Sequence, residues 1–95
     1  MFDNISIWDL RNIQNPNLID IRSIEKYNSS HINGAKNIPL NKILIDPVKY
    51  MNKNEKYYIY CQQGLQSRKL CQILGNMGYN VVNVIGGYEN WIMNQ

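Results

Sequence analysis

Cys61 is the residue whose surroundings are best suited to chemistry. It sits in the run Tyr57-Tyr58-Ile59-Tyr60-Cys61-Gln62-Gln63-Gly64-Leu65-Gln66-Ser67-Arg68. A β-prone stretch delivers one cysteine into a short loop holding a glycine, and an amphipathic helix follows at once. That order aims loop N–H groups and the positive end of a helix dipole at one sulfur, which favours a thiolate or an anion bound to it. An ordinary thiol titrates near ~8.5 and is less than about a tenth ionised at neutral pH. In this setting Cys61 is expected to act as a nucleophile without a partner base. The only histidine, His31, is far upstream, and a Cys–His dyad has no local support in the sequence. Attack on a sulfur donor would leave a persulfide with negative charge on its outer sulfur. N–H groups from Gln62, Gln63, Gly64, Leu65, Gln66 and Ser67 would cradle that charge, and Gly64 would let the backbone curl with positive φ. The plainer reading is a buried cysteine at a strand end followed by an ordinary loop.

Asp20 and Arg22 end an earlier β-prone stretch. Asp20 is expected to tie neighbouring loops, while Arg22 either pairs with a carboxylate or approaches the site. With Arg68, they are candidates for the pocket rim. His31 is expected to fix a loop by hydrogen bonding. Cys71 shares a helical face with Ser67 and Leu74 and reads as a small buried hydrophobe, with a resolving thiol as the alternative. Trp8, Trp91, Tyr57, Tyr58 and Tyr60 read mainly as core and sheet-face residues. Two cysteines ten positions apart form neither a disulfide scaffold nor a CxxC pair. With one histidine besides, a zinc site lacks ligands, so no metal is expected.

These residues must be positioned by a small protein. The chain has 95 residues, 44% of them apolar and 18% charged, which suits one globular domain spanning 1–95. No apolar run approaches a membrane span, and Met1-Phe2-Asp3-Asn4 shows no signal-like pattern, so a cytoplasmic protein without membrane contact is expected. The net charge is +3, but Lys and Arg are scattered rather than striped. Nucleic acid is therefore not an expected partner, whereas a weak pull on small anions is.

Short β-prone stretches alternate with helical ones. Ile5-Ser6-Ile7 predicts a minimal first strand, and Ser6 with Asp9 resembles a capping box opening a short helix through Arg11. Leu18-Ile19-Asp20-Ile21 predicts a buried strand after the break at Asn15-Pro16-Asn17. Ser23 predicts a cap for a brief helix carrying Ile24 and Tyr27. Ala35 to Ile38 predicts a further strand, followed by a helical stretch between Pro39 and Pro47. Tyr57 to Tyr60 predicts the strand leading to Cys61. Leu70, Leu74 and Met77 predict a helix over Ser67 to Met77, with Gly78 as its left-handed stop. Val81 to Ile85 predicts the last strand, and Gly86-Gly87 turns into a closing helix with Trp91. Such alternation predicts an α/β domain with a mostly parallel sheet, and Cys61 at a strand's carboxyl end is where sites form in such sheets.

The chain resembles a single-domain rhodanese over nearly its whole length. The resemblance rests on Leu18-Ile19-Asp20-Ile21-Arg22, Glu25-Lys26-Tyr27, His31-Ile32-Asn33-Gly34-Ala35 and Asn37-Ile38-Pro39-Leu40, then Tyr58 to Gly64 with Ser67, and finally Leu74, Gly78-Tyr79, Val82, Gly86-Gly87 and Trp91. It implies a rhodanese-like α/β fold, a five-stranded mostly parallel sheet with helices on both faces. It also implies sulfur transfer through a persulfide on Cys61, without metal or organic cofactor. The implied partners are a small sulfur-donor anion or a persulfidated protein, and an acceptor thiol or cyanide. The loop Cys61 to Gln66 has the length associated with sulfur; related phosphatases carry a longer loop with arginine six places after cysteine, where this chain has Ser67. Many rhodanese loops end on a basic residue, and here that residue is Gln66, so thiosulfate is expected to be a poor donor. A noncatalytic partner-binding module and a thiol redox sensor are the alternative readings.

Overall fold

The computed structural model describes residues 1–95. Five strands run in chain order as β1 (Asp3–Ile5), β2 (Leu18–Asp20), β3 (Lys36–Asn37), β4 (Lys56–Tyr60) and β5 (Asn80–Val84). They form one sheet in the order β1-β5-β4-β2-β3, with every pairing parallel. Parallel neighbours need crossovers, which the helices supply: α1 (Ile7–Arg11), α2 (Ile24–Ser29), α3 (Leu40–Ile45), α4 (Pro47–Tyr50), α5 (Leu65–Asn76) and α6 (Gly87–Met93).

A sheet covered on both faces needs strands that are apolar on both sides, and β4 and β5 meet that need. Tyr57, Ile59 and Cys61 join Ile19, Val81, Leu70, Cys71 and Leu74 in one buried cluster. Tyr58 and Tyr60 point the other way, into a second cluster with Ile7, Leu10, Val82, Val84 and Tyr88. The period of two along the strands thus splits the core into two halves, with α5 against one and α1 and α6 against the other. Strand β4 is paired on both sides, by β2 and β5, and delivers Cys61 to the carboxyl edge of the sheet.

Several boundaries differ from those expected, and local chemistry explains the larger shifts. The first strand ends at Ile5 rather than Ile7, because Ser6 caps α1: its hydroxyl accepts from the Asp9 N–H at 3.0 Å. Ile7 then turns inward on the helix and is fully buried. Helix α5 starts at Leu65, two residues earlier than the apolar spacing predicts, because Gly64 in a left-handed conformation opens it. The stretch between the prolines forms the single helix α3, and a second short helix, α4, begins at Pro47 itself, where the residue stands in the first turn. Trp8, expected mainly in the core, is 57% exposed. No helix is long and apolar enough to cross a membrane.

Candidate functional site

Cys61 follows the last residue of β4 and is 3% exposed. Two backbone N–H groups donate to its sulfur, Gly64 at 3.1 Å and Ser67 at 3.3 Å. Both belong to the opening turn of α5, where amides have no partner within the helix and the helix dipole is positive. The thiol lies 3.3 Å from Ser67 Oγ, whose own proton goes to Asn83 Oδ1 at 2.6 Å. Hydrogen bonds of this kind favour the charged form of the atom that accepts them. The two N–H groups are placed to donate to negative charge on Sγ or on a sulfur attached to it, while the Ser67 oxygen accepts from the thiol.

The loop keeps this shape because a second helix start is fitted against it. The Tyr88 N–H donates to the Cys61 carbonyl at 2.8 Å, and the Glu89 N–H to the Gln62 carbonyl at 3.0 Å. Both donors lie in the first turn of α6. Gly87, at φ 63°, lies under the Cys61 carbonyl, where any Cβ would overlap that oxygen. Gly64 has φ 93°, and a Cβ there would lie 2.9 Å from the Gly86 nitrogen. The close approach of the two turns is what requires glycine.

Beneath the loop lies a buried ion pair. Arg22 Nη2 contacts Asp20 Oδ2 at 2.7 Å, and Arg22 Nε donates to both carboxylate oxygens at 3.1 and 3.0 Å. The same guanidinium donates to Gln62 Oε1 at 3.2 Å and to the Ser30 carbonyl at 2.7 Å, and lies 4.1 Å over the Tyr88 ring. Burial works against the Arg22 charge, but the hydrogen bond and charge of Asp20 hold it above its ordinary pKa. Burial likewise pushes the neighbouring Tyr60 phenol above its usual range, with Asp20 adding to the rise. Asp20 is fully buried and Arg22 is 7% exposed, so neither stands on the pocket rim. They form the floor under Gln62, where the guanidinium's bonds to Asp20, Gln62 and the Ser30 carbonyl offset the cost of taking both charges out of water.

The cavity over Cys61 measures about 540 Å³ and is lined by Lys26, Cys61, Gln62, Gln63, Leu65, Gln66 and Glu89. A larger apolar groove of about 690 Å³, containing Ile24, Leu40, Leu44 and Tyr50, meets it at Gln66. Arg68 does not enter the Cys61 cavity; it lines a separate depression with Asn4 and Asn83 on the other side of the loop. The nearby cation is instead Lys26 from α2, opposed by Glu89 from α6. His31 is exposed, with Nδ1 2.8 Å from the Tyr27 carbonyl and its ring stacked on Tyr27 at 3.8 Å, and it fixes a loop. Cys71 is fully buried, and burial, with Cys61 nearby, pushes its thiol up to about 12. It is a core residue that stays protonated at neutral pH.

Of the loop expected from the sequence, Gly64 and Ser67 donate to the Cys61 sulfur and Gln62, Gln63, Leu65 and Gln66 line its cavity; Lys26, Glu89 and Asn83 are not among the expected site residues. The first two carry no local signal. Asn83 did carry one, as a lone amide in the otherwise apolar run Val81-Val82-Asn83-Val84.

Residues 6–94 match the family described as Rhodanese-like domain. The thiosulfate sulfurtransferase PspE of Escherichia coli is 37% identical over 76 residues, which cover 79% of this chain and 73% of that protein. The adenylyltransferase and sulfurtransferase uba4 of Ogataea parapolymorpha is 32% identical over 90 residues, 94% of this chain; the chain spans only 23% of that protein's length. Among solved structures, a rhodanese-like domain protein from Staphylococcus aureus superposes with a TM-score of 0.85 at 33% identity, covering 95% of this chain and 91% of that one.

Proposed function

The chain belongs to the rhodanese-like domain family, and from that premise we propose that it moves a sulfane sulfur through a persulfide on Cys61. In the first half-reaction the Cys61 thiolate attacks the donor's outer sulfur. The Sγ–S bond forms and the donor S–S bond breaks, releasing sulfite from thiosulfate or a thiolate from an organic persulfide. In the second, an acceptor thiolate or cyanide takes the outer sulfur and returns Cys61 as thiolate. No electrons are gained or lost overall.

The observation that carries this reading is the convergence of the Gly64 and Ser67 N–H groups on Sγ at 3.1 and 3.3 Å. Fixed donors need no reorganisation when charge develops, which is where such sites gain most of their rate. Gln62, Gln63, Leu65 and Gln66 complete the loop around the sulfur. A partner-binding module would need neither the sulfur nor the donors aimed at it.

Lys26 and Glu89 offset one another in the cavity, and Gln66 adds no charge. A doubly charged thiosulfate therefore finds little net attraction, whereas an organic persulfide has an apolar groove beside Gln66 for its body. We infer that a persulfide is the preferred donor. Gln66→Arg is expected to raise kcat/KM for thiosulfate about tenfold, roughly 1.4 kcal/mol, by adding a cation at the cavity wall. Thiocyanate formation from thiosulfate and from an alkyl persulfide, in the parent and the variant, tests this. A parent already efficient with thiosulfate, and not improved by the arginine, contradicts the donor preference.

A further inference from the structure

Asn83 is 3% exposed in the middle of β5, where its neighbours are valines, and a buried amide in such a strand is retained only against a desolvation penalty. Its two ends are both used. Oδ1 accepts from Ser67 Oγ at 2.6 Å, and Nδ2 donates to Asn4 Oδ1 at 3.0 Å. Asn4 is its register partner on β1 and is exposed. An unbroken hydrogen-bonded chain therefore runs from the Cys61 thiol through Ser67 and Asn83 to a surface amide.

Three contacts surround Sγ. The Gly64 and Ser67 N–H groups are donors under all conditions. The Ser67 hydroxyl alone can change direction, and it has one proton to place, with Asn83 Oδ1 at 2.6 Å the nearer acceptor and the Gly64 carbonyl at 3.3 Å the farther. With that proton on Asn83, its oxygen faces the sulfur and accepts from the S–H, which suits the neutral thiol. The thiolate needs the opposite orientation. Asn83 can meet either demand, because a turn of its amide exchanges acceptor for donor, and exposed Asn4 can turn with it.

We propose that Asn83 is a positioning residue that sets the direction of the Ser67 hydroxyl, and that the chain Cys61–Ser67–Asn83–Asn4 reverses its hydrogen bonds when Cys61 ionises. The thiol proton leaves to solvent, Ser67 O–H swings onto the thiolate, and Asn83 Nδ2 donates to Ser67 Oγ in place of Oδ1 accepting. The consequence for sulfur transfer rests on Cys61 being the sulfur carrier. The ionisation itself is measurable whether or not any sulfur moves.

A residue that can only accept freezes the chain in its thiol orientation. Asn83→Asp does this directly. Asn4→Asp does it from the surface: it keeps Asn83 Nδ2 turned outward, hence Oδ1 on Ser67, and an exposed position tolerates the change if the buried one does not. The other charged groups at the sulfur are Lys26 and Glu89 in the cavity, Arg22 behind Gln62 and Arg68 across the loop, with the Cys71 thiol in the core. Arg68 shares its depression with Asn4 and Asn83 and would pair with a carboxylate placed there; that response does not pass through the Ser67 hydroxyl, so the comparison without Ser67 separates it.

The readout is the pH midpoint of Cys61 alkylation by iodoacetamide, followed by peptide mass. Asn4→Asp is expected to raise the midpoint by about half a pH unit and Asn83→Asp by about one or more, the scale of one charge-directed hydrogen bond. In a Ser67→Ala background the hydroxyl is gone, and the Asn4→Asp shift should vanish; a double-mutant cycle isolates that coupling. A shift of equal size with and without Ser67 would show a through-space charge effect and overturn the proposal, as would no shift for Asn4→Asp in the intact chain. If the shifts appear as described while no sulfur adduct forms on Cys61, the hydrogen-bond proposal stands and the sulfur-carrier reading falls.

Discussion

Replacing Arg22 by leucine is expected to lower the unfolding free energy by about 3–5 kcal/mol, the scale for a buried charge that loses its partner. Asp20 is fully buried, and three of its contacts come from the guanidinium. After the change the carboxylate keeps the Arg22 backbone N–H at 2.8 Å but has no compensating cation. Small domains have about 5–15 kcal/mol in total, so the loss removes a large fraction. Arg22→Lys should recover only part of it, since the compact ammonium lacks the planar fork whose separate nitrogens reach the carboxylate, Gln62 and the Ser30 carbonyl. The double variant Asp20→Leu/Arg22→Leu should be more stable than Arg22→Leu alone, because no uncompensated charge remains. Urea midpoints with unchanged slope measure all three. A single variant within about 1 kcal/mol of the parent would mean that water already solvates Asp20.

Gly64→Ala is expected to reduce sulfur transfer about 10²–10³-fold, the range seen when one preorganised donor is lost from a charged site. A side chain at φ 93° is strained, and its Cβ would meet the Gly86 backbone at 2.9 and 3.3 Å. Backbone cannot rotate aside as a flexible side chain can, so the loop must lift. Lifting carries the Gly64 N–H away from Sγ, which it now meets at 3.1 Å. The stability loss should be smaller, about 1–3 kcal/mol, because the strain is confined to one turn. Comparing kcat/KM at a temperature where both proteins are folded separates the two effects. Activity within threefold of the parent in a folded Gly64→Ala protein would remove the Gly64 N–H from the account.

Much of this arrangement was legible in the order of residues. Val81, Val82 and Val84, with Tyr57 to Tyr60, are apolar on both strand faces, and that pattern points to a parallel sheet under two layers of helix. Cys61 with Gly64 and Ser67 gave the loop for the same reason: their spacing is local, and local geometry follows from sequence. The register at the amino terminus was not legible. Ile5 and Ile7 are equally apolar; the Ser6 cap ends the strand between them, and pairing of Asp3, Asn4 and Ile5 with Val82, Asn83 and Val84, far along the chain, sets which residues precede that end. Lys26 and Glu89 reach one cavity from helices at opposite ends of the sequence. Asp20 and Arg22 looked like rim residues because charge usually stays near water. Their mutual bonds and the Gln62 contact let them go under the loop instead.

Cys61 is the centre of the account, and intact mass after exposure to sulfur donors tests it most directly. The protein would be incubated with an alkyl persulfide or with thiosulfate, freed of small molecules and weighed, beside Cys61→Ser and Cys71→Ser. The expected result is a gain of one sulfur atom in the parent and in Cys71→Ser, removed by cyanide and absent from Cys61→Ser. No adduct with either donor, or an adduct that survives in Cys61→Ser, would contradict a persulfide carried on Cys61.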